Sequence, residues 1–295
     1  MTKEALSALI REVGLGGVED KLMQAALPSL HLVLRPTDED VIPVGASKFG
    51  GAPDLPPGFE WPVWQGYPES DRPRYPPGEF SRDDGPMCFL AQFRLADLAA
   101  YDLRGALPAS GVLYFFCAIW KQALGAYPED RDCWKVVHYD GDPSKLTRRV
   151  SPPLFQGEPF YDIPKDNRFT CCRMDFLPEL TLPDYSDPVP YKALALSQDE
   201  YWLYVRLLER LEEPFQWGQP RYGEQPHRLL GHPQIVQYDK NVPDTDQEWR
   251  LLLQLDTDDA VQLHWQGGGR GYFWIPTQAL AEQDFDVAWV EMQCS

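Results

Sequence analysis

The stretch Trp249-Arg-Leu-Leu-Leu-Gln-Leu-Asp-Thr-Asp-Asp259, continued by Leu263-His-Trp-Gln-Gly-Gly-Gly-Arg-Gly-Tyr-Phe-Trp274, decides the fold class. It consists of an apolar run, an acidic loop, a glycine-rich turn and a second apolar run. Short apolar runs bounded by turn residues are typical of buried strands. The stretch therefore predicts two buried strands that enclose an acidic loop.

An earlier part of the chain repeats this pattern in the same order. Each copy has a Gly-x-Pro turn, a strand with a central glutamine, and an aromatic strand led by glycine. The first copy is Gly51-Ala-Pro53, Phe89–Phe93 and Gly111–Phe116, and the second is Gly231-His-Pro233, Leu251–Leu255 and Gly271–Trp274. The shared order predicts an ancient duplication with halves at about 44–150 and 215–295. Chance similarity of short apolar strands is the alternative.

The shared motif consists of turn glycines and prolines and of two strand glutamines. These residues are Gly50, Gly51, Pro53, Gln92, Gly231, Pro233 and Gln254. We expect them to be structural, because a glutamine inside an apolar strand usually satisfies backbone groups nearby. A ligand-binding role for the two glutamines is the alternative.

Helices are expected at the start and in the middle of the chain. Thr2 to Val13 carries apolar residues at helical spacing, and a second short helix is expected over Asp20–Leu27. Ser197-Gln-Asp-Glu200 is a capping box that predicts a helix over about 197–213. Short strands are expected at 30–35, 134–139, 169–174 and 180–182. Together these features predict a β-rich α+β fold with an internally duplicated pair of antiparallel sheets.

The length of 295 residues is compatible with one large domain over 1–295, since β-rich units reach this size. A proline-rich insertion is expected over about 63–87. The start of the sequence lacks a signal peptide pattern, and no apolar run reaches the roughly 20 residues needed to span a bilayer. The six cysteines show no C-x-x-C pair, so a reduced cytoplasmic location is expected. A redox role for Cys171-Cys172 is left open beside a buried thiol pair.

The formal net charge is −18, from 45 acidic and 27 basic residues. Such a charge repels phosphate backbones and acidic lipids, so direct binding to nucleic acid or membranes is not expected. Residues 239–295 hold 11 acidic and three basic residues, which concentrates the acidity around the opening stretch. We expect either a surface that attracts a basic partner or an acidity that only maintains solubility.

The motifs of common enzyme classes are not found in the sequence. There is no G-x-S-x-G, H-E-x-x-H or Walker lysine, and Gly50-Gly51 is not followed by Gly-Lys-Ser/Thr. Asp256-Thr-Asp-Asp259 begins like a calcium loop, but Val261 stands where such a loop needs glycine. No catalytic residue, metal site or cofactor is therefore expected.

Several motifs together resemble one known family. They are Ser47-Lys-Phe-Gly-Gly-x-Pro, Phe89-Leu-Ala-Gln, Leu113-Tyr-Phe-Phe, Leu229-Leu-Gly-x-Pro, Leu251-Leu-Leu-Gln-Leu-Asp and Tyr272-Phe-Trp-Ile275. In this combination the chain resembles the YwqG-like family from about residue 40 to the end. The resemblance implies a bacterial protein with an α+β fold and no accepted catalytic residues. Members near secreted-toxin genes imply an immunity role.

We therefore expect a cytoplasmic immunity protein, not an enzyme, that binds and occludes a basic toxin such as a nuclease domain. An acidic surface can imitate the phosphate array that a nuclease groove attracts. The candidate partner-binding residues are Asp244, Asp246, Glu248, Asp256, Asp258, Asp259 and Trp265. A small-molecule-binding protein or an enzyme with a cleft between the halves is the alternative. A general interaction scaffold that docks through the proline-rich segment is another.

Overall fold

A computed structural model describes residues 1–66, 85–101, 103–121, 125, 128–153, 168–212, 225–237, 242–243 and 247–294. Its strands are β1 Leu27–Pro36, β2 Lys48–Phe49, β3 Asp54–Leu55, β4 Val63–Trp64, β5 Gly85–Pro86, β6 Cys88–Arg94, β7 Val112–Cys117, β8 Trp134–Tyr139, β9 Thr147–Arg148, β10 Cys172–Thr181, β11 Arg228–Leu229, β12 Trp249–Asp256, β13 Arg270–Pro276 and β14 Trp289–Gln293. Its helices are α1 Lys3–Glu12, α2 Glu19–Ala25, α3 Leu95–Leu98, α4 Pro188–Ala193, α5 Gln198–Glu212 and α6 Thr277–Glu282. The predicted β-rich α+β class is confirmed.

Ten of these strands form one antiparallel sheet in the order β14-β13-β12-β11-β1-β10-β2-β6-β7-β8. The sequence predicted two sheets, and this was wrong. The two groups of strands are joined because β1 and β10 pair over their whole length, from Leu27 opposite Thr181 to Pro36 opposite Cys172. Strand β1 also pairs with β11, which belongs to the later group of strands, β11 to β14. Strand β10 also pairs with β2, which belongs to the earlier group, β2 and β6 to β8.

Strand β10 is continuous, although the sequence predicted two short strands in this region. Pro178 lies within it, opposite Leu30 of β1. The proline is tolerated because β2 pairs with β10 at Cys172 and Arg173, so within the described residues no strand pairs with the other edge of β10 at Pro178. The N-terminal amine of Met1 donates to the carbonyl of Pro178 at 3.0 Å on that edge.

The sheet is nearly closed, and its interior holds the larger of two cores. Phe115 of β7 meets Phe273 of β13 edge-on at 5.1 Å between ring centroids. Near the two ends of the sheet, Trp134 contacts Trp289 at 4.9 Å and donates to the carbonyl of Ala288 at 2.8 Å. The aromatic strands predicted from the sequence are therefore buried inside the sheet.

A separate core lies under the helices. Leu6 and Ile10 of α1 are fully buried with Tyr204 and Leu207 of α5. The predicted first helix and the capping box are both confirmed, since Ser197 and Glu200 exchange side chain to backbone hydrogen bonds. The predicted second helix ends at Ala25, because β1 begins at Leu27.

Candidate functional site

Gln92 of β6 is the centre of a buried polar cluster. Its side-chain oxygen accepts a hydrogen bond from the backbone N–H of Asp54 at 2.8 Å. Its side-chain nitrogen donates to the carbonyl of Ala46 at 2.8 Å. The hydroxyl of Tyr114, on the neighbouring strand, donates to the carbonyl of Asp54 at 2.6 Å. The amide of Gln92 therefore fixes the loop that follows β2.

Gln254 of β12 makes the same set of bonds in the other part of the sheet. Its oxygen accepts from the backbone N–H of Gln234 at 2.9 Å, and its nitrogen donates to the carbonyl of Pro226 at 2.5 Å. The hydroxyl of Tyr272 donates to the carbonyl of Gln234 at 2.6 Å. Gln234 thus has the position that Asp54 has in the first cluster.

The glycines of the motif permit the tight turns beside these clusters. Gly51 and Gly231 have φ angles of 65° and 81°. A Cβ on Gly231 would lie 2.6 Å from the Cβ of Ser29 and from Oγ1 of Thr181. These turns therefore need glycine both for the backbone angle and for the lack of space. Pro53 and Pro233 follow in buried positions.

Lys48 is fully buried and belongs to an ion cluster that was not predicted from the sequence. Its ammonium donates to the carbonyl of Ala52 at 2.5 Å and lies 3.2 Å from the carboxylate of Asp54 and 3.5 Å from that of Glu39. Glu39 also accepts a hydrogen bond from the backbone N–H of Ala52 at 2.6 Å.

Arg148 completes this ion cluster. Its Nε lies 3.0 Å from the carboxylate of Asp54, and its two terminal nitrogens donate to the carbonyls of Glu39 and Ile42 at 2.6 and 2.8 Å. The guanidinium is therefore held by one carboxylate and two carbonyls.

The pKa values of this cluster reflect burial and pairing. Burial lowers the pKa of Lys48 from its ordinary value, although Asp54 opposes the shift. Burial alone would raise the pKa of Asp54, but the nearby Arg148, Lys48 and amide donors lower it overall. We therefore regard Asp54 as an ionised carboxylate that neutralises the buried Lys48 and the half-buried Arg148.

Arg228 occupies the place of Lys48 in the second cluster. It donates to the carbonyl of His232 at 2.7 Å, four residues on, as Lys48 does to Ala52. The backbone N–H of His232 donates to Oγ1 of Thr181 at 2.7 Å, so Thr181 stands where Glu39 stands in the first cluster.

A small cavity lies beside this second cluster, and we call it the Glu179 cavity. Nε of Arg228 is 3.3 Å from the carboxylate of Glu179 at its wall. The cavity volume is about 50 Å³. It is lined by Met1, Glu179, Leu180, Thr181, Leu182, Asp184, Leu208, Leu211, Arg228, Pro233 and Gln234.

The acidic loop predicted to bind a partner is largely folded onto the chain's own side chains. Asp256 forms an ion pair with Arg270 at 2.8 Å. Asp258 is buried, with its carboxylate 3.3 Å from Nε2 of His227. The other ring nitrogen of His227 accepts from the backbone N–H of Asp256 at 3.0 Å, so Nε2 carries the proton and donates to Asp258.

The remaining candidate partner-binding residues are placed differently. The side chain of Asp259 is 91% exposed, and Glu248 is also exposed. Trp265 is 2% exposed and packs in the larger core, because Gly271 leaves space for its ring. Asp244 and Asp246 lie outside the described residues, as does 67–84 within the predicted proline-rich insertion.

The residues of this region offer little for metal or thiol chemistry. In the described ranges no group of three His, Cys, Asp or Glu side chains is placed to hold a metal ion. Cys171 and Cys172 are free cysteines, and burial raises the pKa of Cys171 to about 11. A thiol with so high a pKa is a poor nucleophile near neutral pH. Within the same ranges, each helix is too short or too polar to cross a bilayer.

The charged residues that surround the two glutamines were not predicted from the sequence. Lys48 and Arg228 each precede a turn by two residues, in segments that otherwise look apolar. A charge in such a segment signals a buried partner. Arg148 and Glu179 carry no such signal, since only the folded sheet brings them to these clusters.

Comparison with known proteins gives a family for this fold. No curated protein matched the chain. One family model, described as a domain of unknown function, matches residues 47–294. The match includes both strand glutamines and strands β2 to β14. The chain belongs to this family, DUF1963.

Proposed function

We propose that this chain is a cytoplasmic, bacterial immunity protein of the YwqG-like type that binds and occludes a basic toxin. The net charge of −18 is the observation that carries the proposal. Surface charge of one sign speeds the encounter with an oppositely charged protein and has little effect on fold. The exposed carboxylates of Glu248 and Asp259 stand at the two ends of β12 and are available for such contacts.

The buried polar residues support a binding role over a catalytic one. The amides of Gln92 and Gln254 already bond to backbone groups, which leaves them unsuited to hold a substrate. The Glu179 cavity, at about 50 Å³, is far smaller than the roughly 300–1,000 Å³ of typical small-molecule sites. Neither the two amides nor this cavity therefore offers a site for a metabolite, which supports a partner that contacts the outer surface.

Co-expression tests the proposal directly. The chain is expressed with the toxin gene adjacent to its own gene, and survival of the host cells is measured. We expect survival with the parent chain and reduced survival when Glu248→Lys and Asp259→Lys are combined. Leu177→Ser, an exposed apolar position, serves as the control that keeps the charge. Death of cells that carry the parent chain, at a verified level of folded protein, would refute the proposal.

We also infer that the two halves arose by duplication. Lys48 and Arg228 make the same i to i+4 bond. Each glutamine makes one bond to the segment before its neighbouring short strand, β2 or β11, and one bond to the loop after it. Matching bonds of this detail support common descent over chance similarity. In this interpretation the strand that precedes each half pairs with the other half: β1 pairs with β11, and β10 pairs with β2.

A further inference from the structure

The Glu179 cavity lies where the first cluster holds a guanidinium. In that cluster Arg148 bonds to the carboxylate of Asp54 and to the carbonyls of Glu39 and Ile42. The matching positions of the second cluster all line the cavity. They are Gln234, Thr181 and Asp184. The cavity thus occupies the second cluster's counterpart of a known arginine site.

Charged groups of both signs lie around the cavity. Glu179 and Asp184 contribute two carboxylates, Arg228 contributes one positive charge, and the wall also includes Met1, whose N-terminal amine donates to the carbonyl of Pro178. One oxygen of Glu179 and Nε of Arg228 have no hydrogen-bond partner, although the two groups are 3.3 Å apart. A buried carboxylate oxygen without a hydrogen bond is costly, so a donor from outside would be stabilised there.

Arg228 does not exclude a second cation from this place. The equivalent Lys48 lies in the same cluster as Arg148, and Asp54 and Glu39 neutralise both charges. In the second cluster Glu179 pairs with Arg228 at 3.3 Å, and the carboxylate of Asp184 accepts hydrogen bonds from the backbone N–H groups of Ser186 and Ile235. Both carboxylates still place negative charge at the cavity wall.

The size of the cavity fits the end of an arginine side chain. A volume of about 50 Å³ holds about four water-sized groups, which is close to a planar guanidinium. Leu208 and Leu211 of α5 line another wall. Apolar residues of this kind cover the aliphatic stem of an arginine while its head binds polar groups.

We propose that the Glu179 cavity binds an arginine side chain of a basic protein partner. The guanidinium donates to the carboxylates of Glu179 and Asp184, in the position that Arg148 has in the first cluster. The identity of the donor as a partner protein rests on the proposed function. The proposed binding of a guanidinium in the cavity does not depend on the proposed function.

The first test uses small probes and the intact chain. N-acetyl-arginine amide is titrated while backbone amide resonances are followed by NMR, and the neutral, similarly shaped N-acetyl-citrulline amide is the matched probe. We expect saturable shifts at residues 179–184 and 228–234 with the arginine probe, and at least tenfold weaker binding of citrulline. Shifts that spread over all exposed acids, or equal binding of both probes, would refute the proposal.

Substitutions locate the binding. Glu179→Gln is expected to weaken binding of the arginine probe about tenfold, because a charge-assisted hydrogen bond is lost. Glu209→Gln is the control, since Glu209 is an exposed acid of α5 that does not line the cavity. Should Glu179→Gln fail to fold, Leu211→Trp narrows the cavity from a half-buried position and is expected to abolish binding. Unchanged affinity in a folded cavity variant would overturn the assignment.

The pH dependence gives a separate readout. Burial raises the pKa of Asp184, and the cation binds the ionised carboxylate. The probe is therefore expected to bind more tightly as the pH rises through the raised pKa of Asp184, and Asp184→Asn is expected to reduce this change. An affinity that is independent of pH in the parent chain would contradict a role for Asp184.

The proposed immunity function and the proposed arginine site can be refuted independently of each other. Protection against the toxin without binding of the arginine probe keeps the immunity function and rejects the cavity as an arginine site. Binding of the probe at the cavity without protection keeps the site and rejects the immunity function.

Discussion

At the scale of single residues, several buried or half-buried charges of the described residues have partners that the fold supplies. Lys48 and Arg148 are neutralised by Asp54 and Glu39, and Arg270 by Asp256. Burying an unpaired charge is very unfavourable, so each of these groups depends on its partner. His31 differs, because it can become neutral when it is buried.

The buried His31 predicts a loss of stability in mild acid. Burial lowers its pKa from 6.5 to about 4, with His227 and Arg228 acting in the same direction and Glu179 against it. Above pH 6.5 the ring is neutral in both states and its contribution is fully present. As the pH falls toward 4, the unfolded chain takes up the proton first and the contribution is lost. At pH 5 the loss is about 2 kcal/mol.

Urea unfolding at pH 7.5 and pH 5.0 measures this loss. We expect His31→Gln to lose about 2 kcal/mol less stability between the two pH values than the parent chain. His264→Gln, at a partly exposed histidine, should lose as much as the parent. An equal loss for His31→Gln and the parent would show that His31 is already charged in the folded state.

At the scale of elements, the turns after β2 and β11 place the polar clusters. Each turn brings a backbone N–H to a strand glutamine and a carbonyl to a tyrosine hydroxyl. The turn after β2 packs on Glu39 and on residues 169–171, and the turn after β11 packs on Ser29 of β1 and Thr181 of β10. Both approaches are so close that side chains are excluded from the glycine positions.

Gly231→Ala tests this close packing against Gly58→Ala. Both glycines have a positive φ, 81° and 75°, but a Cβ on Gly58 meets nothing within 4 Å. We expect Gly58→Ala to cost about 1–2 kcal/mol of unfolding free energy from the backbone angle alone. Gly231→Ala should cost about 1–3 kcal/mol more, because its Cβ contacts Ser29 and Thr181. If the two substitutions lowered the unfolding free energy equally in urea, the turn after β11 would be able to move away from Ser29 and Thr181.

At the scale of the whole molecule, the sheet depends on a strand outside the family match. The match covers residues 47–294, yet β1, at Leu27–Pro36, lies in the middle of the sheet. Among the described residues, β1 is the strand whose backbone pairing joins β10 to β11, while side chains of the two groups of strands also pack on each other inside the sheet. The minimal folding unit must therefore begin before residue 47.

A truncated chain tests this dependence. Residues 47–294 alone are expected to lose cooperative unfolding and near-UV circular dichroism, because β10 and β11 would keep unpaired edges. Residues 27–294, which lack α1 and α2 but keep β1, should still unfold cooperatively, at a lower urea concentration. Cooperative unfolding of 47–294 at the midpoint of the full chain would show that β1 is dispensable.

The amino-acid sequence by itself determined the local elements of this protein. The apolar runs around Gln254 gave the strands β12 and β13, and the Ser197–Glu200 capping box gave α5, because strand periodicity and helix capping are properties of neighbouring residues. Only the tertiary structure decided that β1 and β10 join the strands into one sheet. Pairing between residues so far apart depends on the packing of the complete sheet.

The same division holds for the site. Gln92 and Gln254 could be recognised from their repeated setting, but the partners of the acidic loop could not. Asp256 and Asp258 looked like a free acidic surface, yet the fold brings Arg270 and His227 against them. Net charge is a property of composition, whereas the exposure of each charge depends on which distant cation the fold places beside it. For this reason the sequence predicts only the sign of the charge on the proposed partner, whereas the position of the Glu179 cavity comes from the structure.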